Sequence, residues 1–258
     1  MDRPQSPLPT PWPERLLPGS DPGAWIDHMN RYAFCSRQVR GKRILELGTG
    51  GGFGAHHLAA HARNVISIDI DLEAIRTAAQ TYSRPNLAYL NADVTALPFA
   101  DETFDSVIAY EIIEHLHNPE DMLRETRRVL RNQGLLYVST PNIERHYEKI
   151  TVRNPYHLTD FTLLTFTHLL RKYFPTALVY GQCPTWDIGL REKTASGKFV
   201  RKLQILLRYP RSAVAVFAGK AAVQLRASRE LPAWNSLNLI SRHLLPEAKV
   251  FLAVCQKD

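Results

Sequence analysis

Only three cysteines occur in 258 residues, Cys35, Cys183 and Cys255, too few and too far apart for a disulfide framework or a cysteine-ligated zinc site. They read as small buried hydrophobes. Long apolar runs are missing too, since no stretch approaches the roughly 18 residues of a membrane-spanning helix. The opening MDRPQSPLPTPWPERLLPG lacks the apolar centre of a signal peptide, and its prolines predict an irregular chain at least to Pro13. These absences lead to the expectation of a cytoplasmic protein. Acid is scarce in one region only. Residues 181–258 hold 13 Lys or Arg against 5 Asp or Glu, and the remainder holds 19 against 20. The formal charge of +7 therefore belongs to the last third of the chain.

What is present is a regular alternation. RILEL (43–47) and NVISIDI (64–70) are short apolar runs with β-branched residues, and a helical pattern from Gly54 to Ala62 lies between them. A strand, a glycine turn, a helix and a strand within about 30 residues make a βαβ unit. Asp71 is placed to cap a helix through Tyr82, NLAYLNA reads as a strand, and FDSVIAY (104–110) as a buried one. Asn118 then predicts an N-cap, with Pro119 at the first helical position, and Gly134 a helix end before the strand LLYVST (135–140). A helix from Thr159 or Thr162 to about Tyr173 and the strands ALVYGQ and KVFLAVCQ complete the pattern. Such alternation predicts a doubly wound α/β sheet with right-handed crossovers.

In sheets of this kind, ligands bind at the carboxyl ends of the strands, where the strand order reverses. The stretch ILELGTGGGFG falls there. Its glycines Gly48, Gly50, Gly51, Gly52 and Gly54 form the first βα turn, where a missing Cβ lets backbone approach a ligand. A strict G-x-G-x-x-G fits poorly because Phe53 occupies the third place. E-x-G-x-G-x-G across Glu46, Gly48, Gly50 and Gly52 fits better. An acid at that point repels a pyrophosphate and suits a ligand bearing an ammonium group. Asp69 ends the second strand and is suited to a ribose diol. Asp93 follows the third strand, where an adenine amine is a fitting partner, and Glu111 ends the fourth beside the glycine loop.

With these residues in place, residues 40–142 resemble the class I S-adenosylmethionine-dependent methyltransferases. ILELGTGGG, VISIDID and ADVTALPFADETFDSVIAYEIIEHLHNPEDMLRETRRVLRNQGLLYVSTPN carry the resemblance. The subgroup that includes ubiquinone-biosynthesis enzymes is the nearest. ERLLPG, HMNRYAF and NPYHLTDFT resemble methyltransferases from bacterial polysaccharide clusters. The resemblance implies a seven-stranded sheet whose last strand, KVFLAVCQ, runs antiparallel, and S-adenosyl-L-methionine as cofactor with no metal. It implies that Glu46 and the glycines hold the methionine end, Asp69 the ribose and Asp93 the adenine. Thr49, Ile70, Val94, Glu111 and Tyr32 complete the expected cofactor-binding set. RNQG replaces the family's usual Pro-Gly turn, a structural departure.

Methyl transfer from a sulfonium asks mainly for in-line positioning and exclusion of water. A hydroxyl acceptor gains from a general base, most often histidine. His115 in EIIEHLH and His157 in NPYHLTD both follow strand ends on the ligand side, with Glu114 or Asp160 near in sequence to orient them. Arg31 and Tyr32 lie in an N-terminal helix placed to cover the cofactor. The Asn/Asp-Pro-Pro-Tyr/Phe signature of amino-group methylation is absent, YEII standing after the fourth strand, which favours an oxygen or carbon acceptor.

Four segments result. They are an irregular N-terminus with a lid helix (1–39), the cofactor-binding core (40–183), a basic helical insertion (184–248) and the final core strand (249–258). From Arg191 to Arg229 there are ten basic residues and one acid, Glu192. Apolar positions such as Phe199, Leu203, Val214 and Phe217 recur at helical spacing among them. Three readings stand: a lid attracting an anionic or lipid-linked acceptor, peripheral membrane contact through residues 198–229, or a helical cap with a solvated basic face. Aromatics hardly interleave with the charges, which disfavours nucleic acid. The favoured acceptor is a small-molecule hydroxyl, on a saccharide or a lipid-linked precursor. A quinone, aromatic or natural-product acceptor comes next, and RNA or protein after that.

Overall fold

The structure is a computed structural model, and residues 15–16, 21–146, 154–182, 239–240 and 248–258 are described. The chain gives helix α1 (Pro22–Ser36), strand β1 (Arg43–Leu47), α2 (Phe53–Ala59), β2 (Asn64–Asp69), α3 (Leu72–Thr81) and β3 (Leu87–Asn91). β4 (Phe104–Tyr110), a 3-10 turn (Ile113–His115), α4 (Pro119–Val129), β5 (Leu130–Pro141) and the short α5 (Ile143–His146) follow. α6 (Leu163–Tyr173), β6 (Leu178–Gln182), β7 (Leu239–Ile240) and β8 (Val250–Gln256) close the order.

The sheet runs β3-β2-β1-β4-β5-β8-β6-β7. β1 to β5 pair in parallel, and β8 lies antiparallel between β5 and β6. This is the expected seven-stranded mixed sheet, with the two-residue β7 added antiparallel at the β6 edge. The order reverses between β1 and β4, which sets the binding crevice at their carboxyl ends.

Alternation along the strands divides the core. Leu45 and Leu47 of β1 and Val107 and Ala109 of β4 pack towards α4 and α6, with Met122, Leu123, Phe166 and Leu170. Ile44, Ile108 and Tyr110 pack on the other face with Tyr32, Phe34, Ala55 and Leu58 of α1 and α2. Cys35 and Cys255 are buried thiols, as expected; Cys183 lies outside the described residues.

Local signals hold with three amendments. Asp71 caps α3 through the Glu73 N–H, and Thr162 rather than Thr159 caps α6, in a capping box with Thr165. Asn118 occupies the cap position of α4, but its side chain donates to the Asp121 carboxylate instead of accepting a helix N–H. α4 ends at Val129, not at Gly134, because Leu130 is already extended and paired to Phe104. Gln133 takes the left-handed conformation (φ 63°) in an irregularity that lets β5 resume at Leu135 opposite Ser106. Among the described residues, no helix is long and apolar enough to cross a membrane. The basic insertion lies outside the described residues, apart from 239–240 and 248.

Candidate active site

Glu46 is the penultimate residue of β1 and faces α1, 1% exposed. Register decides its support: it pairs with Ser67 of β2, whose hydroxyl donates to Glu46 Oε2 at 2.6 Å. That proton is committed, so the 2.7 Å contact between Ser67 and Thr49 is a donation from the Thr49 hydroxyl. Thr49 therefore reaches the site through Glu46. The other carboxylate oxygen, Oε1, completes no hydrogen bond of good geometry. Burial pushes the Glu46 pKa up to about 7, against the opposing pull of the Ser67 and Tyr32 hydroxyls. A buried carboxylate in this state is stabilised by a cation placed beside it.

The glycine turn keeps that space open. Gly52 caps α2 at φ 82°, and a Cβ there would lie 2.6 Å from that of Ala78. A Cβ on Gly54 would lie 2.6 Å from Glu46 Oε1 and would overlap the Tyr32 ring. Tyr32 itself is buried and meets Tyr110 edge to face, ring centroids 5.2 Å apart. Its neighbour Arg31, 1% exposed, is the least expected feature of the site. Nη1 donates to Gln182 Oε1 at 2.8 Å, whereas Nε and Nη2 find no partner. Those two N–H groups form the side-on edge of the guanidinium, the geometry that grips a carboxylate bidentately. The Tyr32 hydroxyl feels the charges of both Glu46 and Arg31. The arrangement thus suits a ligand that carries an ammonium and a carboxylate together.

Asp69 closes β2. Its Oδ2 accepts the Gly50 N–H and its Oδ1 the Asp71 N–H, each at 3.0 Å. Ile70 beside it is 64% exposed, an apolar surface next to the acid. Asp93 sits on an exposed turn, where Oδ1 accepts from the Thr95 N–H and hydroxyl. Val94 is buried in the core, so any ligand contact it makes is through its backbone. Glu111 adopts φ 54°, a conformation that costs a non-glycine residue about 1–3 kcal/mol. The Ser139 hydroxyl holds its carboxylate at 2.6 Å.

The two histidines come together. The Glu114 carbonyl accepts from the Leu158 and Thr159 N–H groups, and Thr159 Oγ1 donates to the Leu116 carbonyl. These bonds staple the 154–160 loop to the turn after β4 and bring the His157 and His115 rings to 5.2 Å. A carbonyl only accepts, so the 2.9 Å contact from His115 Nδ1 to Tyr156 O fixes the proton on Nδ1 and makes Nε2 the basic nitrogen. Glu114 is buried, hydrogen-bonded by Thr140, and burial together with the Glu111 charge raises its pKa. Ligand atoms of Glu114, His115 and His157 lie within 4.8 Å of one another, close enough to hold a metal ion. His157, Thr140, Asp160 and Phe161 line a small cavity with Glu114.

Sequence reading did not anticipate Ser67, Gln182 or Arg15. Arg15 Nη1 lies 2.8 Å from Asp71 and Nη2 lies 3.7 Å from Asp69, and a Cβ on Gly51 would meet the Leu16 carbonyl at 3.0 Å. Arg15 and Leu16 therefore lie at the mouth of the site beside Asp69.

Residues 45–138 match a family model described as a methyltransferase domain. A probable S-adenosylmethionine-dependent methyltransferase of Mycolicibacterium smegmatis is 33% identical over 176 residues, 66% of this chain and 68% of that protein. This chain belongs to the class I S-adenosylmethionine-dependent methyltransferases. A further methyltransferase relative, from Mycobacterium tuberculosis, is 35% identical over 160 residues, 61% of this chain. The chain spans 58% of that relative's length. The solved methyltransferase structure from Thermotoga maritima superimposes with a TM-score of 0.58 at 17% identity, covering 91% of each chain, which establishes the shared fold. The methyltransferase sheet is thus the scaffold on which Glu46, Asp69 and the histidine pair stand.

Proposed function

We propose that this chain transfers the methyl group of S-adenosyl-L-methionine to a hydroxyl of a small-molecule acceptor, on a saccharide or a lipid-linked precursor. The observation that carries the cofactor is the buried Glu46 carboxylate, whose Oε1 completes no hydrogen bond of good geometry beside a glycine turn with no room for a Cβ at Gly54. Glu46 would take the ammonium and Arg31 the carboxylate of the methionine end. Asp69 would accept from the ribose hydroxyls. Ile70 and the Val94 backbone would border the adenine, and Asp93 would take its amine. Bound there, the cofactor supplies an already activated methyl group. Tyr32 and Tyr110, both buried, would exclude water from the transfer.

The protein's chemical task is then to receive the acceptor's proton. His157 is the proposed base. It lies 5.2 Å from His115 on the loop past β5, where an acceptor approaches rather than the nucleoside. Glu114 and Asp160 are the neighbouring acids on its cavity. The basic residues from Arg191 to Arg229 favour an acceptor bearing phosphate or an anionic lipid, with contact to a membrane surface as a second source of the same attraction.

Two measurements test this reading. Calorimetry with S-adenosylhomocysteine is expected to show binding that Glu46→Gln weakens severely; no binding by the native chain overturns the cofactor assignment. Incubation with methyl-labelled cofactor and separate glycan, lipid-linked and quinone pools is expected to label one of the first two. Label only in the quinone pool, or in RNA or protein, overturns the acceptor class.

A further inference from the structure

The pole of the sheet opposite the active site holds a cavity of about 550 Å³. It lies at the amino ends of the strands, between Arg43 of β1, Arg63 before β2, Asn86 before β3, Phe104 of β4 and Arg131 of β5. Glu46 stands three residues along β1 from Arg43, about 10 Å away, and neither it, the glycine turn nor Asp69 lines this cavity, which is therefore separate from the crevice. We infer that it binds a phosphate-bearing organic molecule of about nucleotide size, held by the guanidinium groups of Arg43 and Arg63.

Charge points to an anion. Asp105 is the one acid in the lining, and both of its oxygens are engaged: Oδ2 accepts the Arg43 backbone N–H at 2.8 Å and Oδ1 accepts Arg131 Nη1 at 2.9 Å. Arg131 is further anchored to the Glu102 carbonyl. The Asn86 amide is spent on the carbonyls of Ala59 and Ala62. Among the described residues, the side chains of Arg43 and Arg63 have no hydrogen-bond or ion-pair partner. Two guanidinium groups on adjoining strand starts, with the one lining carboxylate among the described residues already paired, leave an uncompensated positive site. The guanidinium fork matches phosphate oxygens in geometry as well as charge.

Size and chemistry point beyond a bare ion. A volume of this order falls in the range of small-ligand sites, roughly 300–1,000 Å³, and exceeds what inorganic phosphate fills. Half-buried Ile66 and Leu87 with Pro85 add apolar wall to the same cavity, which suits a sugar or base attached to the phosphate.

Uridine monophosphate is the probe, because it lacks the adenine that the active site is proposed to take, and inorganic phosphate is the comparison. Calorimetry on the full chain, with S-adenosylhomocysteine present and then absent, is expected to show uridine monophosphate binding more tightly than phosphate in both conditions. Arg43→Gln with Arg63→Gln is expected to weaken that binding about tenfold or more, with unchanged circular dichroism. Ala88→Glu, which sets a carboxylate on the exposed cavity wall and keeps both arginines, is expected to do the same. Asp69→Ala is expected to leave it unchanged. Absence of binding by either probe, or binding that survives the arginine pair and Ala88→Glu, overturns the site. Loss of S-adenosylhomocysteine binding with this site intact would instead overturn only the cofactor reading above.

Discussion

At the scale of single residues, burial sets the chemistry. Glu46 carries a pKa of about 7 against an ordinary value of 4.5, so the folded, ligand-free chain holds a proton there that the unfolded chain has released. Its contribution to stability is therefore present below the ordinary value and is lost as pH rises through the window from about 4.5 to 7. Binding an ammonium has the opposite demand, because it needs the ionised carboxylate. Affinity for S-adenosylhomocysteine is expected to rise with pH through about 7, with proton release measurable by calorimetry in buffers of different ionisation enthalpy. Glu46→Gln is expected to flatten that profile. Asp69→Ala, which would remove the acceptors proposed for two ribose hydroxyls, is expected to cost about 1–3 kcal/mol of cofactor affinity, read by the same titration. His157→Ala is expected to lower turnover by roughly 10²- to 10⁴-fold while cofactor affinity stays constant. If His157→Ala retains full turnover on the native acceptor, the proton passes to His115 Nε2 or to solvent.

At the scale of elements, α1 and Arg15 bring side chains to the site from outside the sheet. α1 brings Arg31 and Tyr32 to the crevice from outside the sheet, and Arg15 reaches Asp71 and Asp69 from further upstream. An ion pair this close to the surface is worth about 1 kcal/mol at most, or about fivefold in an equilibrium. Arg15→Gln is expected to speed dissociation of S-adenosylhomocysteine by up to about that factor in stopped-flow measurements. Added salt is expected to have a similar effect on the native chain and little on the variant. Equal salt sensitivity in both would show that the Arg15 contact does not restrain the ligand.

At the scale of the whole molecule, the charge is divided in two. The core and N-terminal residues are nearly neutral, and the excess lies in the last third, where the cofactor site as built from β1, β2 and α1 has no need of it. Replacing Lys198, Arg201, Lys202 and Arg208 together is expected to leave cofactor affinity unchanged and to weaken acceptor use at low salt. Flotation with anionic vesicles separates the two sources of attraction. Binding to anionic but not neutral vesicles indicates a membrane surface, and lost acceptor use without flotation indicates a soluble anionic acceptor. A variant with neither defect identifies a solvated basic face.

The fold was legible because its signals are local. β-branched runs alternate with capped helices, and the glycine turn lies within eight residues of Glu46, so strand, turn and acid are contiguous in the chain. The acids at the strand ends followed from position alone, since a parallel sheet gathers its carboxyl ends at one pole. Tertiary structure decided which groups those acids meet. Ser67 supports Glu46 only because β1 and β2 pair in that register. Arg31 and Gln182 are 151 residues apart and touch only because β6 returns beside β8 to the pole that α1 covers. His115 and His157 become neighbours through two N–H bonds to a single carbonyl, that of Glu114. Backbone hydrogen bonds between distant segments carry no residue signature. A pattern of side chains therefore announces the strand and the turn, while packing alone determines that Arg31 is left with an open edge and Glu46 with an open oxygen.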